Sequence, residues 1–329
     1  VRYFWSGVEL MSMMQMLLAT YGGGGLSIDD VYSSTVYTGN ESTNTINNGL
    51  DLSGEGGLVI LKKLLGASNF FVYDTERGTN DALRTNVNNA ETTFSNSLTS
   101  FNSNGFTLGS SNITNDSVTP DYISFAFRKT EEFFDVVSYT GNGATSRNLS
   151  HSLGTLPGMM WIKKVSNAED WIVYHRDNGA NNFLKLNDNS GSTTAGSDIF
   201  AITHPTSSVF TVGNNTKVNA NGDEYIAYLF ADDTDSMIKC GTYNGNGGTQ
   251  TINCGFQPQW VTIKSTSSVN ADWVVFSSTR GTKYLSWDSI NNEQPHAGFA
   301  FASNGFTLSN SVGTTNSSGK AYVYMAIAS

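Results

Sequence analysis

Charge and cysteine are both scarce in this 329-residue chain. Asp, Glu, Lys and Arg together make up 14% of it, whereas an ordinary soluble domain carries about 25%. No run of Lys or Arg could track a phosphate backbone, and the formal net charge is −10. Nucleic acid is therefore excluded as a partner on electrostatic grounds. Low charge also argues against disorder, which couples low hydrophobicity to high net charge. No apolar run approaches the roughly 20 residues needed to cross a bilayer, so no membrane span is expected. With two cysteines and no CxxC there is neither a disulfide framework nor a thiolate metal site. The four histidines, His151, His175, His204 and His296, stand in no HxH or HExxH spacing. P-loop, GxSxG and GxGxxG motifs are also missing. The expectation is a protein that is not an enzyme, with no catalytic residue, no metal and no cofactor. A hydrolase built from scattered carboxylates leaves no local signature, so a glycan-degrading enzyme stays as an alternative.

What the chain does have is Gly, Ser, Thr and Asn between short apolar runs. That composition favours strands and turns, because Ser, Thr and Asn compete with helix hydrogen bonds and Gly carries an entropy cost in helices. Internal repetition is the strongest signal. Tyr37-Thr38-Gly39-Asn40 returns as Tyr139-Thr140-Gly141-Asn142 and as Tyr243-Asn244-Gly245-Asn246, a period of about 100 residues. An apolar segment running from Gly57 to Gly78 is matched by 158–179 and 259–281. Gly105-Phe106-Thr107-Leu108, Val209-Phe210-Thr211-Val212 and Gly305-Phe306-Thr307-Leu308 follow, and each copy closes on a strand beginning at Tyr122, Tyr225 or Tyr322. The expected fold is all-β: three tandem homologous β-sandwich or jelly-roll-like domains behind a short apolar N-terminal helix or arm. The boundaries are an N-terminal docking segment with a Gly hinge over 1–30, then repeats over 31–132, 133–236 and 237–329.

Several residues invite a functional reading beside a plain one. Met13, Met14, Met16, Leu17 and Leu18 precede four glycines at 22–25. A short Met-rich helix suits an irregular groove on a partner; the plain reading folds it back onto the first copy, and a signal peptide is the weaker third reading. Cys240 and Cys254 flank a Gly/Asn-rich turn, so two paired strands would set them opposite each other as a disulfide. Two separate core thiols are the other reading. Phe70, Trp171 and Trp273 share one repeat position, where stacking on a sugar competes with core packing, and apolar neighbours favour the core. Arg77 and Arg280 share a position at which the second copy carries Asn178, which suits a turn-stabilising hydrogen bond. Asp232-Asp233-Thr234-Asp235 reads as a solvated link rather than a Ca²⁺ site. Sequons at Asn40, Asn112, Asn115, Asn148, Asn214 and Asn316 follow from composition. Glycan-binding residues are not assigned.

Tyr139 to Gly143 (YTGNG), the His-Ser-Leu-Gly turn from His151, Pro157-Gly158-Met159, the Ile-Lys-Lys strand, Trp171 to His175 (WIVYH) and Phe210 to Gly213 (FTVG) together resemble the repeated β-domain of structural proteins from marine tailed bacteriophages, including cyanophages. Asn48 to Leu52, Gly54 to Val59 and the Met-rich start resemble the N-terminal copy in those proteins. The third copy lacks the Pro-Gly-Met step and the HSLG turn. The resemblance implies a non-enzymatic virion structural protein on the particle exterior, of the tail, fibre or adhesion type. Its partners would be other tail or capsid proteins and host surface polysaccharide. Phage fibres suggest a homo-oligomer, a trimer by that precedent, in which three sandwiches give reach and 11–19 docks. A capsid decoration or cement protein is the alternative.

Overall fold

Short β-branched and aromatic runs form strands here because their side chains pack on a pleated surface, while Gly, Asn and Ser take the turns. The computed structural model of the chain describes residues 26–119, 121–232, 237–267 and 270–329. Within them the fold is all-β and its sheets are antiparallel. No helix among the described residues is long and apolar enough to cross a membrane. The N-terminal residues 1–25, including the Met-rich segment Met13 to Leu18 and the glycines at 22–25, lie outside the described residues.

The first stretch holds β1 (Tyr32–Thr38), β2 (Asn44–Asn47), β3 (Gly57–Lys63), β4 (Phe70–Asp74), β5 (Gly78–Arg84), β6 (Thr92–Thr93), β7 (Leu98–Asn102), β8 (Gly105–Leu108) and β9 (Asp121–Arg128). Six of these strands form a sheet in the order β1-β9-β3-β4-β5-β6, and β2-β8-β7 form a small one. The second stretch holds β10 (Phe134–Thr140), β11 (Arg147–Ser150), β12 (Pro157–Lys164), β13 (Ile172–His175), β14 (Asn182–Lys185), β15 (Thr193–Thr194), β16 (Val209–Val212) and β17 (Glu224–Ala231). Its large sheet runs β10-β17-β12-β13-β14-β15, and its small one is β11-β16. The third holds β18 (Ile238–Asn244), β19 (Gln250–Asn253), β20 (Pro258–Ser265), β21 (Val274–Ser277), β22 (Lys283–Ser286), β23 (Gln294–Pro295), β24 (Phe299–Ala302), β25 (Gly305–Leu308) and β26 (Ala321–Ala328). The order is β18-β26-β20-β21-β22-β23, with β19-β25-β24 beside it.

One strand order thus occurs three times, with one departure. β7 and β24 each make a hairpin into a glycine, Gly105 or Gly305. At Gly105 φ is +113°, and an added Cβ would lie 2.0 Å from the Ile46 carbonyl. The second stretch has Val209 there and no hairpin. Turns with Ala201 and Ile202 at positive φ replace the missing strand.

The repeated Tyr-x-Gly-Asn motif is a structural corner. Tyr37, Tyr139 and Tyr243 donate to the carbonyls of Thr114, Val218 and Thr315 at 2.6–2.7 Å. They stack on Tyr122, Tyr225 and Tyr322, with centroids 5.1–5.2 Å apart. The motif glycines let two backbones touch: a Cβ on Gly39, Gly141 or Gly245 would fall within 2.1–2.3 Å of a carbonyl oxygen. Behind each stands a fully buried asparagine, Asn115, Asn219 or Asn316. Its side-chain oxygen accepts from the motif asparagine's backbone N–H at 2.9–3.1 Å. Two sequon asparagines, Asn115 and Asn316, are therefore closed to solvent.

Strand alternation places the cores. On β9, Tyr122 and Ala126 face the first small sheet together with Leu98, Phe106 and Leu108. Ile123, Phe125 and Phe127 point the other way, into a cluster shared with Phe134, Trp161 and Phe230 of the second stretch and Trp260, Trp287 and Met325 of the third. Both faces of each large sheet are thus covered. Trp161 and Trp287 meet edge-on at 5.6 Å, Phe127 and Phe230 at 5.4 Å, and Phe125 and Trp260 at 6.2 Å. Fully burying such a side chain contributes about 1.5–3 kcal/mol before ordering costs. The three large sheets close around one centre.

Candidate functional site

Three seams separate the large sheets, and each is sewn by the same main-chain bonds. Glu91 N–H donates to Val165, Ser192 to Thr266, and Glu293 back to Leu64, at 2.8–3.2 Å. A buried lysine crosses each seam. Lys62 reaches Ile290 O at 3.3 Å, Lys163 reaches Asn88 O at 3.4 Å, and Lys264 reaches Asp188 O at 3.1 Å. Each also donates to a nearer carbonyl of its own stretch at 2.6–2.7 Å. Burial pulls Lys163 down to about 7, and Lys62 and Lys264 to about 8. These lysines are cross-links.

Beside two of the seams the surface opens into a groove. The groove between the first and second sheets, about 540 Å³, is lined by Glu76, Arg77, Glu91, Tyr139, Val165 and Glu224 among others. Behind its Arg77 wall lies Asp74, fully buried at the end of β4. One oxygen of Asp74, Oδ2, accepts from Arg77 Nε and from the hydroxyl of Tyr228 across the seam, both at 2.6 Å. Arg77 also donates to Glu91 Oε2 at 2.5 Å and to the carbonyls of Asp81 and Val72. Burial alone would lower the arginine, but Asp74, Tyr228 and Glu91 hold it above its ordinary value. Burial together with Asp74 pushes the Tyr228 phenol well up. Chemically this is a neutralised, fully hydrogen-bonded arginine beside acidic groove residues.

The groove between the third and first sheets, about 580 Å³, repeats the arrangement with Leu64, Asp121, Thr279, Arg280, Lys283 and Glu293. Arg280 Nη1 stands 3.6 Å from Glu293 Oε2. At the remaining seam the arginine position holds Asn178 and the glutamate position Ser192, so both partners are replaced together. A further hollow, about 240 Å³, belongs to the second stretch alone and lies where its hairpin is missing. There Tyr174 Oη lies 2.8 Å from His204 Nδ1, beside Arg176, Leu156 and Pro157.

Phe70, Trp171 and Trp273 are fully buried. The two indoles donate across seams, Trp171 to Arg84 O and Trp273 to Lys185 O, both at 2.8 Å. Phe70 packs on Trp287 at 4.6 Å. Arg77 and Arg280 make the expected turn bonds, Arg77 to the carbonyls of Val72 and Asp81 and Arg280 to that of Val275, and also stand on groove walls. Cys240 and Cys254 are both free thiols. The strands carrying them do not pair: β18 bonds to β26 and β19 to β25, so the thiols fall in separate clusters. Asp232 is buried rather than solvated, accepting from Cys240 N–H and paired with Arg176; residues 233–236 lie outside the described residues. Asp74, Tyr228 and the lysine triplet were missed by the sequence reading. The lysines recur at one period within Leu-Lys-Lys, Ile-Lys-Lys and Ile-Lys-Ser, a legible signal, whereas Asp74 has no counterpart in the other copies. Among the described residues, no group of three or more His, Cys, Asp or Glu is placed to hold a metal.

An all-β assembly whose three sheets share one centre, with polar grooves along two seams, defines the class. Over residues 28–329 the chain matches the family described as a domain of unknown function (DUF7483), and it belongs to that family. The matched region takes in all three stretches together. No curated protein matches it.

Proposed function

We propose that this chain is a non-enzymatic virion protein on the exterior of a tailed phage, of the tail, fibre or adhesion type, and that its three stretches are homologous sandwich domains. The observation that carries the reading is the closed arrangement of one strand order repeated three times around a common core. Such a body holds three related loop surfaces at fixed mutual positions, which multiplies weak contacts with a repetitive host surface such as a polysaccharide. The resemblance of its motifs to marine phage structural proteins supports the same reading. Residues 11–19 are the proposed attachment to the particle. Deleting residues 1–21 should leave the melting of the body unchanged and remove the protein from assembled virions. Quantitative mass spectrometry of purified particles tests membership; absence of the chain from the particle overturns the proposal.

The closed shape favours a second reading, a capsid decoration protein. Three sheets side by side make a block rather than a rod, and a block suits a lattice site. Copy number decides: a few per particle supports the tail, and hundreds support the head.

A further inference from the structure

The grooves at the first-second and third-first seams differ at one chemically decisive place. In the former, Asp74 Oδ2 is a shared acceptor for a guanidinium Nε–H and a phenol O–H. In the latter, the residue at the Asp74 position is Ser277. Arg280 keeps the place of Arg77, with its side chain 3% exposed. Its Nε and Nη1 are buried without a hydrogen-bond partner. Nη2 reaches only Val275 O at 3.4 Å, and the Glu293 contact is an ion pair beyond hydrogen-bond length. Near it on β1 of the first sheet is Tyr32, whose hydroxyl is buried beside Ser34 without a hydrogen bond of regular geometry. Each of the two groups lies within electrostatic reach of the other. Strand β1 packs against the turn that carries Arg280, so two donors lie near the position where the sister groove has a carboxylate.

The surroundings suit an anionic acceptor there. Ser277, Ser34 and Thr279 form a hydroxyl cluster beside the arginine, with Oγ–Oγ distances of 2.6, 3.2 and 2.7 Å. Glu293 is shared with Lys283, whose Nζ bonds its Oε1 at 2.5 Å. Lys283 occupies the position of Asp81 in the first stretch, so charge there is reversed as well. Burial brings Arg280 down to about 10 despite Glu293, the behaviour of a cation short of counter-charge. A buried guanidinium Nε–H and a phenol that lack acceptors are costly, and an anionic oxygen satisfies both at once with short, charge-assisted bonds.

We infer that the third-first groove binds a carboxylate, taken up between Arg280 and Tyr32 in the role that Asp74 plays in the sister groove. The carboxylate is carried either by a small free acid or by an acidic sugar presented to the open side of the groove. The inference is independent of where the protein is mounted, so it can fail while the virion reading stands, and the reverse.

The test is calorimetric titration of the full chain with sodium acetate and sodium glucuronate, against methyl glucoside and sodium chloride at equal ionic strength. Binding of both acids but not of the neutral sugar is expected. Glucuronate binding more tightly than acetate assigns the sugar source, and equal affinity assigns the small acid. Ser277→Asp places the sister groove's carboxylate in the site; it should raise the melting temperature and weaken acid binding at least about tenfold. Tyr32→Phe removes an unpartnered hydroxyl without disturbing packing and should weaken binding while the chain stays folded. The inference is overturned if neither acid binds above the chloride background, which would leave water as the occupant, or if binding survives both substitutions unchanged.

Discussion

Comparing the three stretches position by position turns single side chains into internal controls. Asp288 is one such case. At its position the second stretch carries Asn187, which accepts from Trp171 N–H at 2.8 Å and donates to Asp170 at 3.0 Å. Asp288 accepts from Trp273 N–H at 3.3 Å, its Oδ1 has no partner, and burial with Asp272 nearby lifts its carboxyl to about 7. Because the folded value is raised, the native state holds a proton that the unfolded chain releases near pH 4, so stability falls as pH climbs from about 4 to 7. Asp288→Asn should therefore stabilise by roughly 1–3 kcal/mol at pH 8 and have little effect at pH 4. Urea melts at the two pH values check this. Trp273→Phe strips the donor from Lys185 O across a seam, and leaving that carbonyl unpaired should cost about 1–3 kcal/mol in the same assay.

At the scale of elements, the recurring corner and the central sheets behave differently. The corner is local and was written plainly in the sequence as Tyr-x-Gly-Asn; what the motif did not reveal is why glycine is needed. The answer is backbone contact: a Cβ on Gly141 would lie 2.1 Å from Ala220 O, and a carbonyl cannot swing aside as a side chain could. Gly141→Ala should cost about 1–3 kcal/mol through forced separation of β10 from the turn before β17. Gly313→Ala, with nothing within 4 Å and no positive φ, is the matched control and should be near neutral. Thermal melts of the two variants side by side decide the point; equal losses would show that the close approach is not the cause.

For the whole molecule the decisive feature is that each large sheet has two buried faces. The inner faces contribute Phe125, Trp161, Trp260 and Trp287 to a single cluster, so no sheet can leave without exposing the other two. Unfolding should accordingly appear in calorimetry as one transition, with calorimetric and van't Hoff enthalpies in agreement. Separate transitions would show three independent domains. A chain ending at residue 232 should fail to fold stably, because Phe125, Phe127 and Trp161 lose the Trp260 and Trp287 rings packed on them.

The all-β content was legible in the sequence, because alternation and turn chemistry are local properties that one strand and its turn express on their own. The same locality explains what could not be read: Asp232, expected in a solvated link, is buried. Cys240 and Cys254 are close in sequence, yet hydrogen bonding to distant strands sends them to different sheets. Phe70, Trp171 and Trp273 were read as core from apolar neighbours, but that the core lies between copies could not be read from any one of them. Closure of the ring depends on which face of each sheet finds a partner, and both faces carry the same alternating apolar pattern. The Arg280–Tyr32 juxtaposition likewise joins residues from opposite ends of the described chain. Only the tertiary structure brings β1 against the end of β21, because the third sheet has no free neighbour other than the first.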